Sequence, residues 1–111
     1  ITSGNLLNGI WRGAPASNLN LTFPSASDVV SEVKDCVVGT SWYFHILNNS
    51  SGGGKDYTII SGTGMSYVSS GSGNHNKVGA GKGRMFMINI TNIGSGTEGY
   101  DVYVLGDMTP I

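Results

Sequence analysis

The chain has few charged residues, one cysteine and two histidines among its 111 residues. Charged side chains make up 12% of the sequence, about half of the roughly one quarter that is usual in soluble domains. Six basic residues and a net charge of −1 provide no electrostatic footprint for a phosphate backbone. We therefore do not expect nucleic acid as a partner.

The lone cysteine, Cys36, excludes a disulfide within the chain, so stability has to come from packing or from association. The histidines, His45 and His75, are not clustered with other ligands at the spacing that a metal site requires. We interpret Cys36 as structural, and we expect no metal or other cofactor.

Long hydrophobic runs are also missing. No stretch approaches the roughly 18 consecutive apolar residues of a membrane-spanning helix, and the first residues do not form a secretion signal. A membrane is therefore not an expected partner. The length suits a single domain over residues 1–111, and the start on Ile1 predicts a fragment of a longer chain.

What the chain does have is three predicted strands with apolar side chains on both faces: Ser41 to Leu47, Arg84 to Ile90 and Tyr100 to Leu105. A strand of an isolated sandwich alternates apolar with polar residues, because one face meets the core and the other meets water. The side chains that would occupy the second face are Tyr43, His45, Leu47, Met85, Met87, Tyr103 and Leu105.

Another surface must cover this second face, and we expect it to belong to other copies of the chain. The pattern therefore predicts an assembly module rather than an enzyme, with these seven residues as the subunit interface. The opposite face would form the core, for which the candidates are Leu21, Phe23, Val33, Trp42, Phe44, Ile46, Ile59, Phe86, Ile88, Ile90, Val102 and Val104.

The order of elements favours an all-β fold. Extended patterns are expected over residues 6–12, 18–23, 41–48, 57–61, 65–69, 84–91 and 99–105, with one short helix over 25–35 and a long loop over 70–83. About seven or eight short strands and one helix favour an antiparallel β-sandwich, most simply a jelly roll. An immunoglobulin-like sandwich is the alternative, although its Cys-Trp-Cys spacing is absent.

Catalytic signatures are weak. The segment from Gly79 to Gly83 resembles a phosphate loop, but a strand rather than a helix is expected after it. No serine lies in a nucleophile elbow, and Asp56 and Asp101 are the acids closest to strands. A small hydrolase, which would need two carboxylates or a histidine pair in one pocket, is the second alternative to an assembly module.

The first alternative is a carbohydrate-binding module, since exposed aromatic rings stack on sugars. In that case Trp11 and Tyr67 would lie on an exposed shelf, and His75 in the long loop is a further candidate for contact with a glycan or receptor. Possible N-glycosylation sequons begin at Asn20, Asn48, Asn49 and Asn89, and Asn48 and Asn49, before the glycine-rich loop, are the better placed.

Several segments together resemble a known group of domains: residues 21–26, 38–49, 57–65, 80–92 and 100–106. They are similar, over about Gly9 to Gly106, to small β-rich domains in structural proteins of large double-stranded DNA viruses and tailed phages. The resemblance implies a trimeric jelly roll, like tumour-necrosis-factor or C1q heads, on a virion surface or outside the cell. Its partners would be two further copies, other capsid proteins and a host receptor or glycan, and it implies no catalytic residue.

Overall fold

The computed structural model describes residues 1–68 and 76–108, which form two sheets and two short helices. The elements are α1 (Ser3–Leu7), β1 (Ile10–Gly13), β2 (Leu19–Thr22), α2 (Ala26–Glu32), β3 (Ser41–Asn48), β4 (Tyr57–Ile60), β5 (Met65–Val68), β6 (Lys77–Val78), β7 (Lys82–Asn92) and β8 (Gly99–Met108). One sheet has the strand order β1-β3-β7-β8-β5 and the other β2-β4-β6. The predicted sandwich-like, mainly β fold is confirmed.

The strand directions differ from the prediction. The pairs β3–β7, β7–β8 and β4–β6 are antiparallel, but β1–β3, β2–β4 and β5–β8 are parallel. The prediction of an antiparallel sandwich is therefore wrong for three pairs, and both sheets are mixed. Alternation of apolar and polar residues reports which face of a strand is buried, but it carries no information about the direction of the neighbouring strand.

The chain begins with a helix where the sequence predicted the start of a strand. The Oγ1 of Thr2 accepts a hydrogen bond from the Asn5 backbone N–H (3.0 Å), and the Asn5 side chain accepts one from the Thr2 N–H (2.9 Å). This reciprocal capping box fixes the first turn of α1 and turns Leu6 into the core. The first strand therefore begins only at Ile10, and the structure has two short helices rather than one.

The predicted helix near residue 25 is confirmed as α2, with Ser25 as its N-cap. The Ser25 Oγ accepts a hydrogen bond from the Asp28 N–H at 3.2 Å. The helix ends at Glu32, earlier than predicted, because Val33 is already extended and Asp35 adopts a φ of 54°. Valine is a weak helix former, which is consistent with this early end.

Between the sheets lies a core built around three phenylalanine rings. Phe23 meets Phe44 edge to face at 5.8 Å, and Phe44 and Phe86 stack at 6.5 Å. Most predicted core residues are buried; Val33, Trp42 and Val104 are partly buried and pack against the core. The core also contains residues that were not predicted: Leu6, Ala26, Val29, Tyr57, Met65, Val78 and Tyr100.

Tyr100 links β8 to the segment before α2. Its ring is buried, and its hydroxyl donates a hydrogen bond to the Pro24 carbonyl at 2.7 Å. Burial raises the pKa of this hydroxyl far above its ordinary value, because the phenolate would lose its hydration. The folded protein therefore keeps a proton that the unfolded chain releases in alkaline solution.

We expect the free energy of unfolding to fall above about pH 10. There the unfolded tyrosine ionises while the folded one stays protonated, so the unfolded state binds fewer protons, and stability drops by up to about 1.4 kcal/mol per pH unit. Urea unfolding at several pH values above about 10 measures the slope of the unfolding free energy against pH. Tyr100→Phe should make the slope shallower, while costing about 1–3 kcal/mol at neutral pH through the unsatisfied Pro24 carbonyl. Equal slopes in the two proteins would contradict this assignment.

Candidate functional site

One face of the five-stranded sheet points away from the core. The register aligns Tyr43 with Met87 and Met87 with Tyr103, so these three side chains form one row across β3, β7 and β8. The adjacent row, with Phe44 opposite Phe86, points into the core. We call the seven predicted interface residues the outer-face cluster: Tyr43, His45, Leu47, Met85, Met87, Tyr103 and Leu105.

The outer-face cluster is exposed to different degrees. Tyr43 is 61% exposed, and Leu105, which lies at a bulge in β8 with no residue opposite it, is 45% exposed. The other five side chains are partly buried. The structure therefore places none of the seven in the core.

The apolar surface extends beyond the predicted residues. Ile10 on β1 pairs with His45, and Val68 on β5 pairs with Tyr103, and both side chains are exposed. With them the apolar surface crosses all five strands of the sheet. The sequence did not predict either residue, because β1 and β5 have only four residues each, too few for an alternation of apolar and polar side chains to show which face is buried.

Charged groups on this face lie near its two margins. Arg12, on the edge strand β1, is paired with Leu47, and Asp101, on β8, is paired with Ser66 of the opposite edge strand. The Asp101 carboxylate accepts a hydrogen bond from the Tyr103 hydroxyl at 3.1 Å. This hydrogen bond and the negative charge beside it raise the pKa of Tyr103. The middle of the face, along β3 and β7, carries no aspartate, glutamate, lysine or arginine side chain.

The histidine in the outer-face cluster is held by the backbone. His45 Nδ1 lies 3.3 Å from the Gly9 carbonyl oxygen, and the His45 N–H donates to the same oxygen at 2.9 Å. The Gly9 carbonyl therefore anchors both the backbone and the ring of His45 next to β1. The side chain is partly buried, with its ring on the outer face as predicted.

The aromatic residues proposed for glycan contact do not form an exposed shelf. Trp11 pairs with Ile46 on the inner face, and its buried Nε1 has no hydrogen-bond partner among the residues that the structure describes. Tyr67 also points inward, with its ring 6.2 Å from that of Phe86. The third candidate, His75, lies outside the described residues.

The acidic candidates for hydrolysis are separated. Asp101 lies on the outer face, whereas Asp56 precedes β4 and borders a cleft between the sheets. Asp107 borders the same cleft and forms an ion pair with Arg84, whose Nε donates to Asp107 Oδ1 at 2.7 Å. Over residues 1–68 and 76–108, no group of histidine, cysteine and acidic side chains has the geometry of a metal site.

The glycine-rich segment that resembled a phosphate loop is a tight turn. The Lys82 N–H donates to the Gly79 carbonyl at 3.1 Å, and Gly81 adopts a φ of 72°, which glycine tolerates best. Strand β7 begins at Lys82, so no helix follows the turn. The turn brings the Lys82 side chain to the border of the cleft.

None of the helices in the described part of the chain is long and apolar enough to cross a membrane. Comparisons with protein-family models, with curated proteins and with solved structures found no match. The resemblance to viral and phage domains stays a prediction.

Proposed function

We propose that this chain is a non-enzymatic structural module that associates with copies of itself through the outer-face cluster. The supporting observation is the apolar surface that crosses five strands, on which Tyr43 of β3 and Leu105 of β8 are exposed. Soluble monomers seldom leave a contiguous apolar surface open to water, and large patches of this kind mark interaction sites.

The residue types on this face favour another protein surface as the occupant. Tyrosine and methionine are enriched at the centres of protein interfaces, where charged residues are depleted. Tyr43, Met85, Met87 and Tyr103 have this composition and lie on adjacent strands. Burying such side chains stabilises an association by about 25 cal/mol for each Å² of apolar area removed from water.

The position of the charges favours a second copy of the chain over an unrelated protein. Arg12 and Asp101 lie toward opposite margins of one apolar face. When copies of the chain meet along this face, the basic margin of one copy is available to the acidic margin of a neighbouring copy. A rim of this kind sets the orientation of the subunits and excludes partners with the wrong charge pattern.

We further propose that the assembly is a homotrimer on a virion surface or outside the cell, where it would contact other capsid proteins and a host receptor or glycan. The support is the resemblance to trimeric viral and phage heads and the low share of charged residues. The parallel pairs β1–β3, β2–β4 and β5–β8 depart from a jelly roll of antiparallel strands, so the strand topology adds no support to the trimer.

Sedimentation equilibrium of the wild-type chain tests this function. We expect a mass of three times 11.6 kDa at micromolar concentration. A dimer would retain the contact through the outer-face cluster but contradict the trimer. A monomer under these conditions would contradict self-association altogether.

A further inference from the structure

A charged cleft of about 290 Å³ opens between the two sheets, where β7 begins and β8 ends. Its border includes charged residues from both sheets and from the segment before β4: Asp56, Lys77, Lys82, Arg84 and Asp107. Arg84 pairs with Ile46, whose side chain is in the core, so the cleft lies on the inner side of the five-stranded sheet. It is therefore separate from the outer-face cluster.

Arg84 forms a rigid cationic wall of this cleft. Its Nε donates to Asp107 Oδ1 at 2.7 Å, and its side chain also hydrogen-bonds with Tyr67. The Arg84 side chain is only 11% exposed, whereas Asp107 is 58% exposed. Burial raises the pKa of Tyr67, and the neighbouring guanidinium offsets part of this rise. A guanidinium held in this way keeps its position when a ligand arrives.

Two lysines supply cations that can rearrange. Lys77 and Lys82 are exposed, and neither forms an ion pair with the residues that the structure describes. Between Lys82 and Asp56 lies Gly79: a Cβ built there would be 3.6 Å from Lys82 Cδ and 3.7 Å from Asp56 Oδ1. Both charged side chains therefore lie next to the Gly79 backbone, where a side chain would touch each of them.

The border thus combines three cations with two carboxylates. The excess of positive charge favours an anion, and ammonium and guanidinium groups form the shortest and strongest hydrogen bonds with carboxylate oxygens. The two aspartates would repel a compact dianion such as phosphate, but they accept hydrogen bonds from hydroxyl groups. A ligand that pairs with the cations and also donates hydrogen bonds to the aspartates carries one carboxylate and several hydroxyls.

We propose that this cleft binds the acidic unit of a saccharide, with the carboxylate held by Lys77, Lys82 and Arg84 and the hydroxyls donating to Asp56 and Asp107. This site is independent of self-association, because it lies on the other side of the sheet. Neither Trp11 nor an exposed aromatic shelf is part of it.

Titration of the ¹⁵N-labelled protein with glucuronate, glucose and inorganic phosphate tests the proposal. We expect glucuronate to shift the amide signals of Lys77, Gly79, Lys82 and Gly83, with glucose and phosphate at least about tenfold weaker, as one charge-assisted hydrogen bond implies. Added salt should weaken glucuronate binding, because the lysines are exposed.

The matched variants are Lys77→Gln and Lys82→Gln, with Lys34→Gln as the control, because Lys34 is an exposed lysine that does not border the cleft. Each cleft variant should weaken glucuronate binding by about fivefold to tenfold, and the control should not change it.

Equal binding of glucose, tighter binding of phosphate, or no response at these amides would each overturn the proposal. An outer-face variant that is monomeric should still bind glucuronate, so the failure of one proposal is distinguishable from the failure of the other.

Discussion

Met87→Glu should convert the assembly into folded monomers. Met87 lies between Tyr43 and Tyr103 in the central row of the outer-face cluster. In an interface, the new carboxylate would be buried without a cationic partner, which costs several kcal/mol. A loss of about 4 kcal/mol lowers the association constant by about a thousandfold. In the isolated chain the same carboxylate reaches water, so we expect unfolding to change by less than about 1 kcal/mol.

Light scattering coupled to size exclusion measures the mass, and urea unfolding checks the fold. Leu47→Glu, on β3 of the same face, should also weaken the association, but by less than Met87→Glu, because Arg12 lies opposite position 47 on β1. Asn20→Glu is the matched control, because Asn20 is an exposed strand residue of the three-stranded sheet. The assembly formed by this variant should have the same mass as that of the wild type. An unchanged mass for both outer-face variants would show that the subunits do not meet through this face.

Asn48 is a buried polar residue that joins the two sheets. Its Nδ2 donates to the carbonyls of Lys55 (2.8 Å) and Val78 (2.9 Å), and its Oδ1 accepts from the Ser50 N–H (3.0 Å). The side chain is fully buried, so β3 is connected through one amide group to the segment before β4 and to β6 of the other sheet. With both amide hydrogens in use, Asn48 is not an acceptor for a glycan in the folded chain, whereas Asn49 is exposed.

Asn48→Asp should destabilise the chain by about 4 kcal/mol or more at neutral pH. A carboxylate in place of the amide faces two carbonyl oxygens to which it has nothing to donate, and burial disfavours its charge. Its pKa in the folded chain would therefore lie above the unfolded value of about 3.9. The unfolded state then binds fewer protons at neutral pH, so stability falls as the pH rises above about 4 and is partly regained in acid.

Asn49→Asp provides the matched control, because it makes the same chemical change at the adjacent, exposed position. We expect it to unfold within about 0.5 kcal/mol of the wild type, with little dependence on pH. Urea unfolding at neutral pH and near pH 4 measures both variants. If Asn48→Asp were as stable as Asn49→Asp, the three hydrogen bonds of Asn48 would not contribute to the stability of the fold.

Part of the candidate site could be predicted because it follows from the two-residue alternation of side chains within single strands. Phe44 and Ile46 in β3 and Phe86, Ile88 and Ile90 in β7 are apolar and buried, and most of the residues that alternate with them are also apolar. Two-residue alternation assigns each side chain to one of two faces without knowledge of the neighbouring strand. The sequence therefore predicted Phe44 and Phe86 inside and Tyr43 and Met87 outside, and the structure agrees.

The prediction of an extended segment from residue 6 is wrong at its start for a local reason. Leu6 and Leu7 suggested an extended segment, but the capping box of Thr2 and Asn5 begins a helix that buries only Leu6. The spacing from Thr2 to Asn5 is a helix-start signal that the sequence contains, although Asn stands where Glu or Gln is more usual. The start of α1 is therefore encoded locally, by residues next to each other in the sequence.

By itself, the sequence determined the mainly β character, helix α2, the hairpin of β7 and β8, and the separation of an apolar outer face from an apolar core. Only the tertiary structure decided the strand directions, the role of Asn48 and the cleft formed by Asp56, Lys82 and Asp107. These features depend on which distant segments lie side by side. Two-residue alternation predicts which face of a strand a side chain occupies. Which residues of other strands it contacts depends on the packing of the whole chain.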